Sequence, residues 1–348
     1  MARVVLHPSG KSVECPDGET VLTALEKAGY ALSNNCRAGA CGECKVKVLN
    51  GQFDQGVVLD MALTPEERRQ GYGLMCMAKP ISEEMMIDWG TLDALPKLFP
   101  PREDALFVVV DKRMIAARVA ELHLRPVGQA LRFWPGQYVT LGDAYADVPA
   151  RPYSISNAPR PDGEIALQIA REDGITSRWI HETLRVGVSV KISGAYGAFI
   201  GDPSVETPVL CLAAGTGLAP LLALAEAALR RGFKHRVNLI LSARTRADVY
   251  GTGMMAWWQT KHRNFDYTIT LTRERAEGFS HGRIDAILPG LYPDLSKHSV
   301  FIAGSPAFVD ACLAVARTLG APEKAIHKER FFTQQELALV DPSPAISA

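Results

Sequence analysis

The strongest constraint in this sequence is the placing of four of its seven cysteines. Cys36, Cys41 and Cys44 lie within nine residues, and Cys76 follows alone. This C-x4-C-x2-C…C spacing suits a plant-type [2Fe–2S] cluster, which needs four thiolates, two per iron. Three thiolates from one short loop require a tightly curled backbone, and Gly39 and Gly42 provide that freedom. The curl also turns backbone N–H groups toward the sulfurs and favours their negative charge. Cys76 brings the fourth ligand from elsewhere. The competing readings are a structural zinc site, which usually shows two separated cysteine pairs, or unrelated buried thiols. Cys15, Cys211 and Cys312 read as small buried hydrophobes. An odd cysteine count with no secretory signal argues against a disulfide framework and for a reducing compartment, the cytoplasm.

The 348 residues predict two or three domains. Hydrophobic residues make up 47% of the chain, enough for sizeable cores, and 38 basic residues balance 38 acidic ones. That balance favours neither nucleic acid nor an anionic membrane surface as a main partner. The uncharged stretch Pro208 to Ala225 is long enough to span a membrane, but Gly215, Gly217 and Pro220 interrupt it. It reads better as a buried strand, Val209 to Ala213, followed by a helix, Leu218 to Arg231.

Five segments are expected: domains over 1–93, 105–203 and 204–332, a proline-rich linker over 94–104 and a tail over 333–348. The first opens with short strands and a helix from Thr20 to Ala28, and carries a capping-box pattern at Thr64 and Glu67. The second is a series of short strands with one helix, Thr176 to Leu184, which suggests a small antiparallel barrel. The third alternates strands with helices, the pattern of a doubly wound parallel sheet. The tail shows no periodicity.

Two further motifs carry chemistry. The run Arg151-Pro152-Tyr153-Ser154-Ile155-Ser156-Asn157-Ala158-Pro159 offers a cation for phosphate, an aromatic wall and a hydroxyl within four residues, as a flavin requires. The plainer reading is a strand entering a proline turn. Gly174, Thr176 and Ser177 stand at a helix start and can offer donors to a pyrophosphate. Gly215-Thr216-Gly217 follows a strand and opens a helix, where glycines let a backbone approach a pyrophosphate. Alone that triplet is weak, and the chain lacks a full G-x-G-x-x-G.

The cysteine spacing resembles the ferredoxin domain fused to reductase components of bacterial oxygenases. The flavin run resembles the R-x-Y-S and G-x-x-S elements of the ferredoxin–NADP reductase superfamily. Arg244, Asp248 and Tyr250 resemble its R-x-x-x-D-L-Y, and Gly304 with Pro306 its C-G-x-P, with Ala303 where that family often has cysteine. The resemblance implies a β-grasp-like ferredoxin domain, an FAD-binding barrel and a doubly wound NAD(P) domain. It implies phosphate contact by Arg151, ring stacking by Tyr153, Ser154 near the reactive flavin nitrogen, and pyrophosphate contact at Gly174, Thr176 and Ser177. Ile169 and Arg171 join the flavin candidates. Gly215, Thr216, Gly217, Arg244, Asp248, Tyr250, Gly304 and Pro306 are the nicotinamide candidates. Glu329 and Phe331 resemble the family's ending beside the flavin; Phe331 also reads as a core phenylalanine. FMN is the alternative flavin.

The implied activity is hydride transfer from NADH to FAD, then single electrons to the cluster and on to a partner oxygenase, a Rieske aromatic-ring hydroxylating type first. Alternatives are a di-iron monooxygenase, a sugar-nucleotide deoxygenation system, and, in another class, a redox-sensing interaction protein. Arg244 and Arg246 would favour NADPH if they meet a 2′-phosphate, or they are solvated loop charges; the resemblance favours NADH.

Overall fold

The computed structural model describes residues 1–202 and 204–332; the expected tail, 333–348, lies outside the described residues. The chain forms two compact units, one of residues 1–102 with 195–198 and Phe332, the other of 103–194 with 199–331.

In the first unit, alternating burial in Glu84–Asp88 marks a strand with one face in a core, and Ala2–His7 buries Val4, Val5 and Leu6 in succession. These two pair in parallel at the centre of a five-stranded sheet. Lys11–Cys15 flanks one side, and Lys45–Asn50 and Tyr72–Leu74 flank the other. The helix Val21–Lys27 buries Val21, Leu22, Ala24 and Leu25 in one core with Val4, Leu6, Met85 and Ile87. This is a β-grasp arrangement. The Thr20 hydroxyl accepts from Thr23 N at 3.3 Å and caps the helix. Thr64 and Glu67 close a capping box over the short helix Pro65–Arg69. The stretch 31–44, which holds Cys36, Cys41 and Cys44, has no regular structure.

The second unit has two lobes. In the first, six strands run in the order Val148–Ser154, Tyr138–Asp143, Ser189–Tyr196, Arg102–Ala116, Val119–Pro126, Ile165–Ala170. A bridge between Ile155 and Leu167 joins the two outer strands and closes the half-barrel. Two differences from the sequence reading have physical causes. Val148–Ser154 is a full strand despite Pro149 and Pro152, because an edge strand tolerates missing donors. The helix expected from Thr176 is α-helical only over Ile175–Arg178 and widens to a π-turn over Trp179–Thr183.

The other lobe is a parallel six-stranded sheet in the order Ser280–His281, Phe265–Leu271, Val237–Ala243, Val209–Ala214, Ser299–Gly304, Ile326–Arg330. Helices Leu218–Arg230 and Thr252–Lys261 share one core with the sheet; Ile284–Leu291 and Pro306–Thr318 share a second. The strand order reverses beside Val209–Ala214, the point where open α/β sheets bind ligands. The apolar stretch raised above is thus a central strand plus a packed helix, and among the described residues no helix is long and apolar enough to cross a membrane. Cys15, Cys211 and Cys312 are core residues, as expected.

Candidate functional site

The loop that carries Cys36, Cys41 and Cys44 is tightly curled. Gly39 has a φ of 71°, and a Cβ there would lie 2.9 Å from Val58 and 3.0 Å from the Val57 carbonyl oxygen. Leu59 N donates to Gly39 O at 3.1 Å and Lys45 N to Gly42 O at 3.2 Å, fixing the curl. The backbone N–H groups of Ala38 and Ala40 each reach Cys36 Sγ at 3.4 Å, and Cys76 N reaches Cys44 Sγ at 3.4 Å. These are the donors that the curled loop was expected to aim at thiolates.

The thiols stand as two pairs. A hydrogen bond from Cys41 pulls the Cys36 thiol down to about 6, and the same contact with burial pushes Cys41 up. Cys44 is pushed up by its contact with Cys76 and by burial, and Cys76 is pulled down by that contact. Among the described residues no group of three or more His, Cys, Asp or Glu side chains closes on a single ion. Four thiols with backbone N–H groups aimed at their sulfurs suit the donor set of a [2Fe–2S] cluster.

Sequence reasoning missed the brace behind this loop. Arg37 follows the first ligand with a φ of 54°, a strained value for a residue with a side chain. Its guanidinium holds both Glu26 oxygens, at 2.8 and 2.7 Å, and Glu26 is only 2% exposed. Burial raises the Glu26 carboxyl, and Arg37 and Asn34 oppose it. The signal in the sequence was an acid on the apolar face of the helix Val21–Lys27.

In the flavin run, Arg151, Tyr153 and Ser154 lie on the edge strand Val148–Ser154. Among the described residues no carboxylate pairs with Arg151, so its charge is available to an anion. Tyr153 is partly buried, and desolvation pushes its phenol well up. Ser154 Oγ donates to Glu329 Oε2 at 3.4 Å, joining two candidates 175 positions apart. Glu329 is 5% exposed. The Thr176 and Ser177 hydroxyls are spent within the protein: Thr176 Oγ1 donates to Pro149 O at 2.6 Å, and Ser177 Oγ to Glu172 O at 2.8 Å. What the Gly174–Ser177 turn retains for an anion is its backbone, since no side chain caps that helix start. Arg171 is paired with Glu182, and Ile169 presents its carbonyl to His181 Nε2 at 3.0 Å. A free cation, an aromatic wall and uncapped N–H groups suit a flavin with a pyrophosphate.

In the nicotinamide lobe, Gly215–Gly217 forms one tight turn directly before the helix Leu218–Arg230. A Cβ on Gly217 would lie 2.0 Å from Ala303 O, so only glycine lets the helix start close against the end of Ser299–Gly304. The turn carries no side-chain cap. Tyr250 Oη donates to Gly215 O at 2.9 Å and braces the turn from a site 3% exposed. Asp248 accepts from Thr245 N and Oγ1 at 3.0 and 2.9 Å, shaping the loop that carries Arg244. Pro306 opens the helix Pro306–Thr318 just after Gly304, and Phe331 N donates to Gly304 O at 2.8 Å.

Comparison with known families agrees with this division. A 2Fe–2S iron–sulfur cluster binding domain matches residues 4–80, an oxidoreductase FAD-binding domain 107–200 and an oxidoreductase NAD-binding domain 211–313. The reductase component of phenol 2-monooxygenase from a Pseudomonas species is 30% identical over 339 residues, covering 95% of this chain and 94% of that protein. The reductase subunit of an aromatic O-demethylase from an Amycolatopsis species is 31% identical, covering 92% of this chain and 96% of its own. The chain belongs to the reductase components of oxygenase systems. Among solved structures, an Amycolatopsis cytochrome P450 reductase superposes on this reductase with a TM-score of 0.85 at 29% identity, covering 95% of this chain and 99% of that one. The ferredoxin reductase of a carbazole dioxygenase shares the fold, with a TM-score of 0.75 at 23% identity over 95% and 98% of the two chains. The reductase is therefore an NAD(P)H-dependent flavin and iron–sulfur oxidoreductase.

Proposed function

We propose that Cys36, Cys41, Cys44 and Cys76 hold the [2Fe–2S] cluster, that Arg151 and the Gly174–Ser177 backbone hold FAD phosphates, and that Tyr153 lies against the flavin ring. FAD supplies the conversion of a two-electron hydride into single electrons for the cluster. The observation that carries this reading is the contact of Ser154 with Glu329 at 3.4 Å, because it brings a buried carboxylate from the strand Ile326–Arg330 to a hydroxyl on the strand that bears the flavin motif. Ser154 would stand near the reactive nitrogen with its hydroxyl oriented by Glu329, and Phe331 would lie by the ring face that the nicotinamide must reach. Gly215, Thr216 and Gly217 receive the coenzyme pyrophosphate through backbone N–H groups at a helix start. Arg244 and Pro306 border its seat, and Asp248, Tyr250 and Gly304 shape it. The proposed boundaries are 1–93, 105–203 and 204–332, supported by family matches that fall inside each.

The acceptor in this proposal is an oxygenase component acting on aromatic compounds, NADH is the donor, and the reductase works in the cytoplasm without nucleic acid or membrane as partner. Support comes from relatives named as reductase parts of a phenol 2-monooxygenase, an aromatic O-demethylase and a naphthalene 1,2-dioxygenase system, and from the balanced charge. The test is NADH consumption coupled to product with purified Rieske, di-iron and P450 oxygenases of aromatic substrates. Tight coupling with one of them supports the proposal. Slow flavin reduction by NADH and no coupling with any would favour a redox sensor instead.

A further inference from the structure

The helix Leu218–Arg230 begins at the Gly215–Gly217 turn and is apolar from Leu218 to Leu229 except for one residue, Glu226. That carboxylate does not face solvent alone. Glu226 Oε2 accepts from Ala158 N at 2.7 Å. Ala158 is 3% exposed and ends the flavin run, beyond the last strand pairing at Ser154 and the bridge at Ile155. Its N–H has lost the sheet and needs this acceptor. One turn on, Arg230 donates to Pro159 O at 3.4 Å and sits 3.6 Å from Glu226. On the same helix, Leu224 lies 3.5 Å from where a Gly136 Cβ would stand, so the helix packs closely on the half-barrel.

The flavin run is thus held at two points by acids from the nicotinamide lobe, Ser154 by Glu329 and Ala158 by Glu226. We infer that Glu226 is a positioning residue for hydride transfer: it locks the flavin run to the helix whose first turn receives the coenzyme, so that the nicotinamide is presented to the flavin in one register. A charge-assisted bond to a backbone N–H is directional, which a purely apolar contact between two lobes is not. Misplacement of a reacting pair by about 1 Å can cost about 100-fold in rate.

The inference rests on reading Arg151–Pro159 as the flavin strand, and the two are separable. An R151A variant that keeps full FAD occupancy would count against that reading, whatever Glu226 does. For Glu226, anaerobic stopped-flow reduction of the FAD- and cluster-loaded protein by NADH is compared in wild type, E226A, E226D and E226Q. Flavin reduction should slow by about 10-fold or more in E226A. The long-wavelength charge-transfer absorbance between reduced flavin and NAD⁺ should weaken. Apparent NADH affinity should stay within about 3-fold. Electron delivery from dithionite-reduced protein to cytochrome c should be unchanged. E226Q keeps an acceptor oxygen and should retain the wild-type rate and absorbance; E226D cannot reach as far and should be slowed. Wild-type flavin reduction in E226A, or a loss in E226Q equal to that in E226A, overturns the inference. If E226A does not hold FAD, E226D decides: a slowed rate with the charge-transfer band weakened supports the inference, and a wild-type rate overturns it.

Discussion

The loop proposed to hold the cluster and the turn proposed to receive the nicotinamide coenzyme solve opposite problems. At the cluster loop the chemistry is in side chains: four thiols converge from an irregular stretch and from Cys76, and the backbone only aims N–H groups at them. At Gly215–Gly217 the chemistry is in the backbone, while Tyr250 and Asp248 brace it from behind. The first kind of site fails when one atom changes identity. The second fails when one atom is added.

The largest expected effect is at the first. C41S should abolish the cluster's visible bands and cut electron delivery to cytochrome c by more than about 100-fold, with NADH-driven flavin bleaching retained. A C41S protein that keeps its cluster would break the contrast. The second kind is sharpened by a pair of alanine variants. In G217A the new Cβ would fall 2.0 Å from Ala303 O, whereas at Gly215 nothing lies within 4 Å and only its φ of 55° is strained. G217A should lose about 2–3 kcal/mol of stability and raise the KM for NADH about 10-fold, and G215A should lose only about 1 kcal/mol. Urea melts and saturation of flavin reduction check both.

Legibility follows the same division. The thiols, Arg151, Ser154 and Gly217 were visible in the sequence because their residue types are unusual at those spacings. The strand Val209–Ala214 and the helix Leu218–Arg230 were visible as an apolar run broken by glycines, expected as Val209 to Ala213 and Leu218 to Arg231. For Val148–Ser154 a strand was the plainer reading of the flavin run, and its two prolines make sense once it is known to be an edge. The hydroxyls of Thr176 and Ser177 looked like ligands, and only the fold shows them spent on carbonyl oxygens. Glu26 and Glu226 were passed over because a single acid in an apolar helix has no meaning until its distant partner is known. Nothing local in sequence reveals Arg37 for one or Ala158 for the other.

A third region serves as a control for the comparison, a partly buried charge cluster outside the proposed cofactor contacts. Burial raises the Glu121 carboxyl, but hydrogen bonds from His123, Arg113 and Gln168 outweigh it and hold it at about 2. The hydrogen bond to Glu121, with help from Glu164 and against burial, raises His123. The Glu121 contribution is complete above the ordinary carboxyl range and is lost as pH falls toward about 2. The His123 contribution is complete below the ordinary imidazole value, about 6.5, and is lost as pH rises through its raised value. H123Q should therefore cost about 1–2 kcal/mol near pH 5–6 and progressively less at alkaline pH, with visible spectra unchanged. Thermal melts across pH read this directly; a cost that grows with pH would contradict it. The smallest effect is expected at Thr64, where T64A removes one half of the capping box and should cost about 1 kcal/mol without altering the spectrum.

Anaerobic titration of the coloured protein with NADH, followed in the visible, reaches the root of these claims. Flavin and iron–sulfur bands should both bleach, taking up roughly three electrons per chain, two for FAD and one for the cluster. Bleaching of flavin alone, in protein whose metal is zinc, would contradict the assignment of the four thiols and with it the route of the electrons.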